Sequence, residues 1–180
     1  MVEGLDSTAA RFAYEGPVRE LVLAVKYRND RSALAWLAEQ VAEIVEPRLV
    51  VGDATVTWPS TTGRRRRRRG FDQAELLARR VAAELGLSAK PLLRRVPGPA
   101  QTGRSGADRH EGPAFVARRR AGSVLLVDDV ITTGATVRSA AAELRRAGAW
   151  AVAAVAVAAA GRGPSPVGTS APGPGTLRER

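Results

Sequence analysis

Two apolar runs stand either side of one helix-length segment. VLLV (124–127) is continuous, β-branched and bounded by polar residues, as a strand buried on both faces must be. AWAVAAVAVAAA (149–160) is a second run of the same kind. Between them Val137, Ala140, Ala141, Leu144 and Ala147 recur at helical spacing, and Gly148 follows as a stop. Strand, helix and strand in that order predict parallel strands joined by a crossover helix. With a further helix over 71–85 the expected class is α/β, a parallel sheet flanked by helices.

The rest of the chain supplies elements for such a sheet. Pro17 opens a helix with Val18, Leu21, Val22 and Val25 on one face. Ser32 is the expected N-cap of a second helix, with Leu34, Leu37, Val41 and Ile44 as its stripe and Pro47 as its stop. Residues 49–58 hold one or two strand-like pieces, chiefly 54–58. Asp72 and Glu75 have the spacing of a capping box, and Phe71 and Leu76 that of a hydrophobic staple. Ala74, Leu77, Ala78, Val81 and Leu85 make that helix's apolar face, closed by Gly86. PLLRR (91–95) and AFVAR (114–118) read as short strands around a Gly- and Pro-rich loop without periodicity. Residues 1–160 are read as one domain, and 161–180, dominated by Gly, Pro, Ser and Thr, as a disordered tail. No internal repeat is visible.

Composition narrows the chemistry. Basic residues outnumber acidic by 28 to 18, a net charge of +10, so anionic partners are expected. There is no cysteine, which removes disulfides, thiol catalysis and Cys-based zinc sites. The longest apolar run is about half of a membrane span, and the N-terminal residues lack a secretory pattern. A soluble, cytoplasmic protein without membrane contact is the expectation.

The first apolar run leads straight into Asp128 and Asp129, then two apolar residues, then Thr132, Thr133, Gly134, Ala135 and Thr136. In an open parallel sheet ligands bind beyond the carboxyl ends of the strands. A hydroxyl-rich turn opening a helix offers free N–H groups and the positive end of the helix dipole to an anion. Two carboxylates repel a phosphate but accept hydrogen bonds from sugar hydroxyls or hold a metal. A sugar phosphate satisfies both halves. The plainer alternative is that the acids cap the helix and the threonines fill a turn.

VLLVDDVITTGAT resembles the phosphoribosyl-pyrophosphate signature of type I phosphoribosyltransferases. The resemblance implies that Asp128 and Asp129 bind the ribose hydroxyls and that Thr132 to Thr136 bind the 5′-phosphate. It also implies transfer of a 5-phosphoribosyl group between diphosphate and an unidentified nitrogen base, with Mg²⁺ reaching the acids indirectly, through the diphosphate. The 6-oxopurine members carry a general-base Asp where this chain has Thr132, which argues against a hypoxanthine or guanine enzyme.

A second tier of motifs, KY at 26–27, RRRGFDQAELLAR at 67–79, LLRR at 92–95, Gln101, Arg109 and AF at 114–115, is similar in order to the ComF-type branch. The chain departs from that branch in lacking its four-cysteine zinc module, in reading Thr57-Trp58-Pro59 for Pro-Val-Pro, and in having Gly112 for an Asn. The branch implies a different class of function as the alternative, a non-catalytic sugar-phosphate-binding accessory of DNA uptake. It leaves room for a homodimer.

Further candidates follow from these positions. Ser60, Arg68 and Arg69 match the pyrophosphate loop, and Arg104 and Arg109 are expected to bring positive charge to the leaving group. Arg64 to Arg69 form six consecutive arginines, open to three readings: a diphosphate clamp, a weak nucleic-acid stripe, or solvated charge. No aromatic residue interleaves with them, which weakens a base-stacking platform.

Overall fold

The computed structural model describes residues 4–28, 30–46, 53–60, 72–96, 113–118 and 122–161. In chain order these form β1 (Ser7–Ala13), α1 (Gly16–Arg28), α2 (Arg31–Glu43), β2 (Thr55–Thr57), α3 (Gln73–Glu84) and β3 (Ser88–Ala89). There follow β4 (Leu93–Arg95), β5 (Phe115–Ala117), β6 (Ser123–Ile131), α4 (Ala135–Arg146) and β7 (Ala151–Ala159). Five strands make a parallel sheet in the order β1-β7-β6-β2-β3, and β4 pairs with β5 antiparallel. The expected α/β class and the β6–α4–β7 crossover are both present.

Alternation along β6 divides the core in two, because successive strand residues face opposite sides of a sheet. Leu125 and Val127 pack with Val22, Leu37, Val41, Leu77 and Val81 of α1, α2 and α3. Val124 and Leu126 pack with Val137, Ala140 and Leu144 of α4 and with Leu93 and Phe115 of the hairpin. Both faces of the central strands are therefore covered, which accounts for their unbroken apolar sequence.

The helix stripes lie where their spacing places them: Val18, Val22 and Val25 are buried in α1, Leu34, Leu37 and Val41 in α2, and Val137, Ala140, Ala141 and Leu144 in α4. Several ends differ from expectation. Asp30, not Ser32, caps α2: its carboxylate accepts from the Ala33 N–H at 2.9 Å, and Ser32 lies inside the helix. The carboxylate is the stronger acceptor and already reaches the third N–H. Asp72 caps α3 by accepting from Ala74 N–H at 3.2 Å, while Glu75 turns to Arg79 at 2.9 Å, a full charge one turn on, instead of back to the cap. Gly86, at φ 67°, ends the helix as expected. Phe71, Pro47, the loop 97–112 and the segment 162–180 lie outside the described residues.

Two strands have no counterpart in the sequence reading. β1 pairs with β7 from Ser7 opposite Ala153 to Ala13 opposite Ala159, and β3 is a two-residue edge beside β2. β6 is also longer than VLLV. It continues through both acids to Ile131, because β7 stays beside it as far as Ala159. Among the described residues no helix is long and apolar enough to cross a membrane.

Candidate functional site

The sheet order places a crevice. β2 leads through α3 to β3 on one side, whereas β6 leads through α4 to β7 on the other. The connections leaving β2 and β6 therefore diverge, and the gap between them at their carboxyl ends is the switch point where open α/β sheets bind ligands. Thr57 is the last β2 residue paired with β6, opposite Leu126; Asp128 follows two residues further along β6, and Ser60 three residues beyond Thr57.

Asp128 and Asp129 lie within the strand, not at a helix cap. The N-cap of α4 is Gly134, five residues past Asp129, at φ 75° and ψ 0°, and neither acid caps the helix. That outcome removes the reading in which the acids serve α4. A left-handed N-cap without a side chain suits glycine alone among common residues. The turn is built locally: Thr133 Oγ1 accepts from Ala135 N–H at 3.3 Å, and Arg138 donates to the Thr133 carbonyl at 3.0 Å. Thr132 and Thr133 are exposed, Gly134 is buried and Thr136 is half-buried. The Arg138 guanidinium was not among the expected site residues. A cation in the first turn opposes the helix dipole, yet it adds positive charge beside the turn.

Two carboxylates inside a strand are costly unless paired or neutralised, and the structure does both. Lys26, in the last turn of α1, reaches Asp129 Oδ2 at 2.7 Å, each side chain being 23% exposed. Asp128 Oδ1 accepts from the Asp129 N–H at 2.8 Å. Burial, with the Asp129 charge beside it and Asp72 further off, pushes the Asp128 carboxyl up to about 8, against the opposing pull of that hydrogen bond and of Lys26. The resting site thus carries one ion-paired acid and one acid whose ionisation is disfavoured by burial and by its neighbour's charge.

A narrow apolar cleft, partly open to solvent, lies behind Asp129. Val22, Leu34, Leu37 and Val157 wall it, and Lys26, Gln73 and Asp129 form its polar edge. Gln73 is buried, and its amide donates to the Lys26 carbonyl at 2.7 Å. Neither Lys26 nor Gln73 was expected at the site. Lys26 was noted only as part of KY, and the spacing of α1 gives no sign that its last turn meets β6.

Ser60 donates its hydroxyl to the Leu93 carbonyl at 2.6 Å, while Thr57 Oγ1 accepts from the Leu92 N–H at 3.2 Å. The connection after β2 is in this way tied to β4. With its proton so used, the Ser60 side chain has only lone pairs to offer a ligand, so it cannot donate to a diphosphate as it stands. On the far side, Ser139 and Glu143 of α4 bind the Pro113 carbonyl and the Ala117 N–H, at 2.7 and 2.9 Å, and so hold β5. Asp128 and Asp129 lie near the carboxyl end of β6, and the Thr132–Thr136 segment follows it into α4. Arg64 to Arg69, Arg104 and Arg109 lie outside the described residues.

A parallel sheet covered by helices, with acids on its central strand and a glycine-opened turn after them, has the type I phosphoribosyltransferase fold. The family of the phosphoribosyl transferase domain matches residues 68–171, more than half of the chain, and the chain belongs to that family. Comparison with curated proteins gives no match. Among solved structures, the chain is similar to the glutamine phosphoribosylpyrophosphate amidotransferase of B. subtilis complexed with ADP and GMP. Identity is 25% and the TM-score 0.48, over 70% of this chain; the chain spans 26% of that protein's length.

Proposed function

We propose that the chain binds phosphoribosyl pyrophosphate and transfers its 5-phosphoribosyl group to or from a nitrogen base. The observation that carries this reading is the run from Asp128 to Thr136: two acids on the central strand, then a turn whose glycine opens α4. Asp128 and Asp129 accept hydrogen bonds from the ribose hydroxyls, and the N–H groups and hydroxyls of Thr132 to Thr136 bind the 5′-phosphate. The transition state has oxocarbenium character, and the departing diphosphate takes the electron pair of the broken C–O bond. Arg68, Arg69, Arg104 and Arg109 are the cations assigned to that diphosphate; Ser60, three residues past β2, joins them only by releasing the Leu93 carbonyl.

Magnesium arrives as part of the substrate, on its diphosphate. Among the described residues no three His, Cys, Asp or Glu side chains cluster to hold a metal ion, and one of the two acids is already paired with Lys26. These donors fit an ion that arrives on the diphosphate. The domain is taken as residues 1–160, in the ComF-type branch, which the order of its motifs supports.

Diphosphate release on adding phosphoribosyl pyrophosphate, magnesium and a panel of bases tests the enzymatic reading. Release with at least one base supports it. Tight binding with no release from any base supports the other class, a sugar-phosphate-binding accessory protein.

A further inference from the structure

Lys26 stands out because two contacts pin it from opposite ends. Its Nζ is 2.7 Å from Asp129 Oδ2, and its own carbonyl accepts from the Gln73 amide at 2.7 Å. Gln73 is buried at the first position of α3, next to Asp72. Lys26 itself sits in the final turn of α1, which faces the apolar wall of the pocket behind Asp129. A carboxylate on a strand has free rotation about its last torsion unless a neighbour holds it. A lysine on a flexible stem is a poor holder by itself, since it loses rotamer entropy on fixing. Here the helix end that carries it is fixed by the buried Gln73 amide.

We propose that Lys26 is a positioning residue for Asp129: held through Gln73, it fixes one carboxylate oxygen so that the other is presented to a ribose hydroxyl. This inference rests on the sugar-phosphate reading of the site. It adds a link that the signature from Val124 to Thr136 does not contain. The beginning of α3 and the acid on β6 become parts of one chain, Gln73 to Lys26 to Asp129, so that a shift of α3 is felt at the ribose site. Lys26 does not touch the ligand.

The test is calorimetric titration of the full chain with three probes: ribose 5-phosphate, 2-deoxyribose 5-phosphate and inorganic diphosphate. The variants are Lys26→Met, Lys26→Arg, Gln73→Leu and Asp129→Asn. Wild type is expected to prefer ribose 5-phosphate over its deoxy analogue by about tenfold, the scale of one hydrogen bond to a charged group. Lys26→Met and Asp129→Asn each erase most of that preference, the double variant loses no more than either alone, and Lys26→Arg restores part of it. Gln73→Leu lowers the preference less than Lys26→Met does. Diphosphate affinity is unchanged in the Lys26 and Gln73 variants. A Lys26→Met protein that keeps the wild-type preference while Asp129→Asn loses it overturns the proposal and leaves the sugar-phosphate reading standing. Loss of diphosphate affinity in Lys26→Met, with the sugar preference intact, makes Lys26 a direct anion ligand and also overturns it. Absence of ribose 5-phosphate binding in wild type overturns both readings. Melting temperatures of all variants separate these outcomes from unfolding.

Discussion

Asp128 is an acid held within a covered strand beside a second acid. With its carboxyl raised from 3.8 to about 8, the folded protein holds a proton there that the unfolded chain releases above its ordinary value. Stability from this group is therefore fully present below about pH 4 and lost progressively as pH rises toward 8. Asp128→Asn cannot ionise, so it should gain on wild type by on the order of 2 kcal/mol at pH 8, with the gap closing near pH 4. Urea denaturation of both proteins across that range checks it; parallel curves would contradict the burial argument. The same replacement should weaken sugar-phosphate binding, so stability and function move in opposite directions.

Two substitutions in the turn separate structure from binding. Gly134→Val places a β-branched residue at φ 75° and should cost about 1–2 kcal/mol as well as ribose 5-phosphate affinity. Thr133 is exposed and accepts one long bond, so Thr133→Ala should change stability by about 0.5 kcal/mol or less. It should still lower affinity for ribose 5-phosphate and leave that for ribose untouched, as titration with the two would show. At this scale the acids and the turn were legible in sequence because they are contiguous. The Lys26–Asp129 pair was not, because it joins residues about a hundred positions apart and no spacing records such a contact.

Element boundaries show where local signals compete. Both Asp30 and Ser32 are good N-caps, and periodicity alone does not choose between them; the structure gives the cap to the carboxylate. Asp30→Ala should therefore cost about 1 kcal/mol and Ser32→Ala little. Chemical denaturation distinguishes them, and the reverse order would restore Ser32 as the cap. The helices and the two long central strands were readable because burial on one stripe, or on both faces, writes a periodic pattern. β1 was not readable: STAARFA has only Ala10 and Phe12 buried, an edge strand with too little apolar alternation to stand out. Two-residue β3 carries no pattern at all. Its pairing with β2 comes from tertiary placement.

For the whole molecule, charge and site make separable claims. The net charge of +10 attracts any polyanion, so weak, salt-sensitive DNA binding is expected alongside specific ligand binding. Replacing Arg64 to Arg67 with Ser should reduce DNA binding and flatten its dependence on salt, while phosphoribosyl pyrophosphate affinity stays within about twofold. Tight DNA binding at physiological salt, lost in that variant with ligand binding intact, would instead make nucleic acid the partner of the run.

The central claim is that the acids of β6 and the turn after them form one sugar-phosphate site. Calorimetric titration of phosphoribosyl pyrophosphate with magnesium into wild type and the Asp128→Asn/Asp129→Asn variant tests it most directly. The account predicts saturable binding to wild type, and at least about a tenfold loss in a variant that remains folded. Undiminished affinity in the double variant would contradict it.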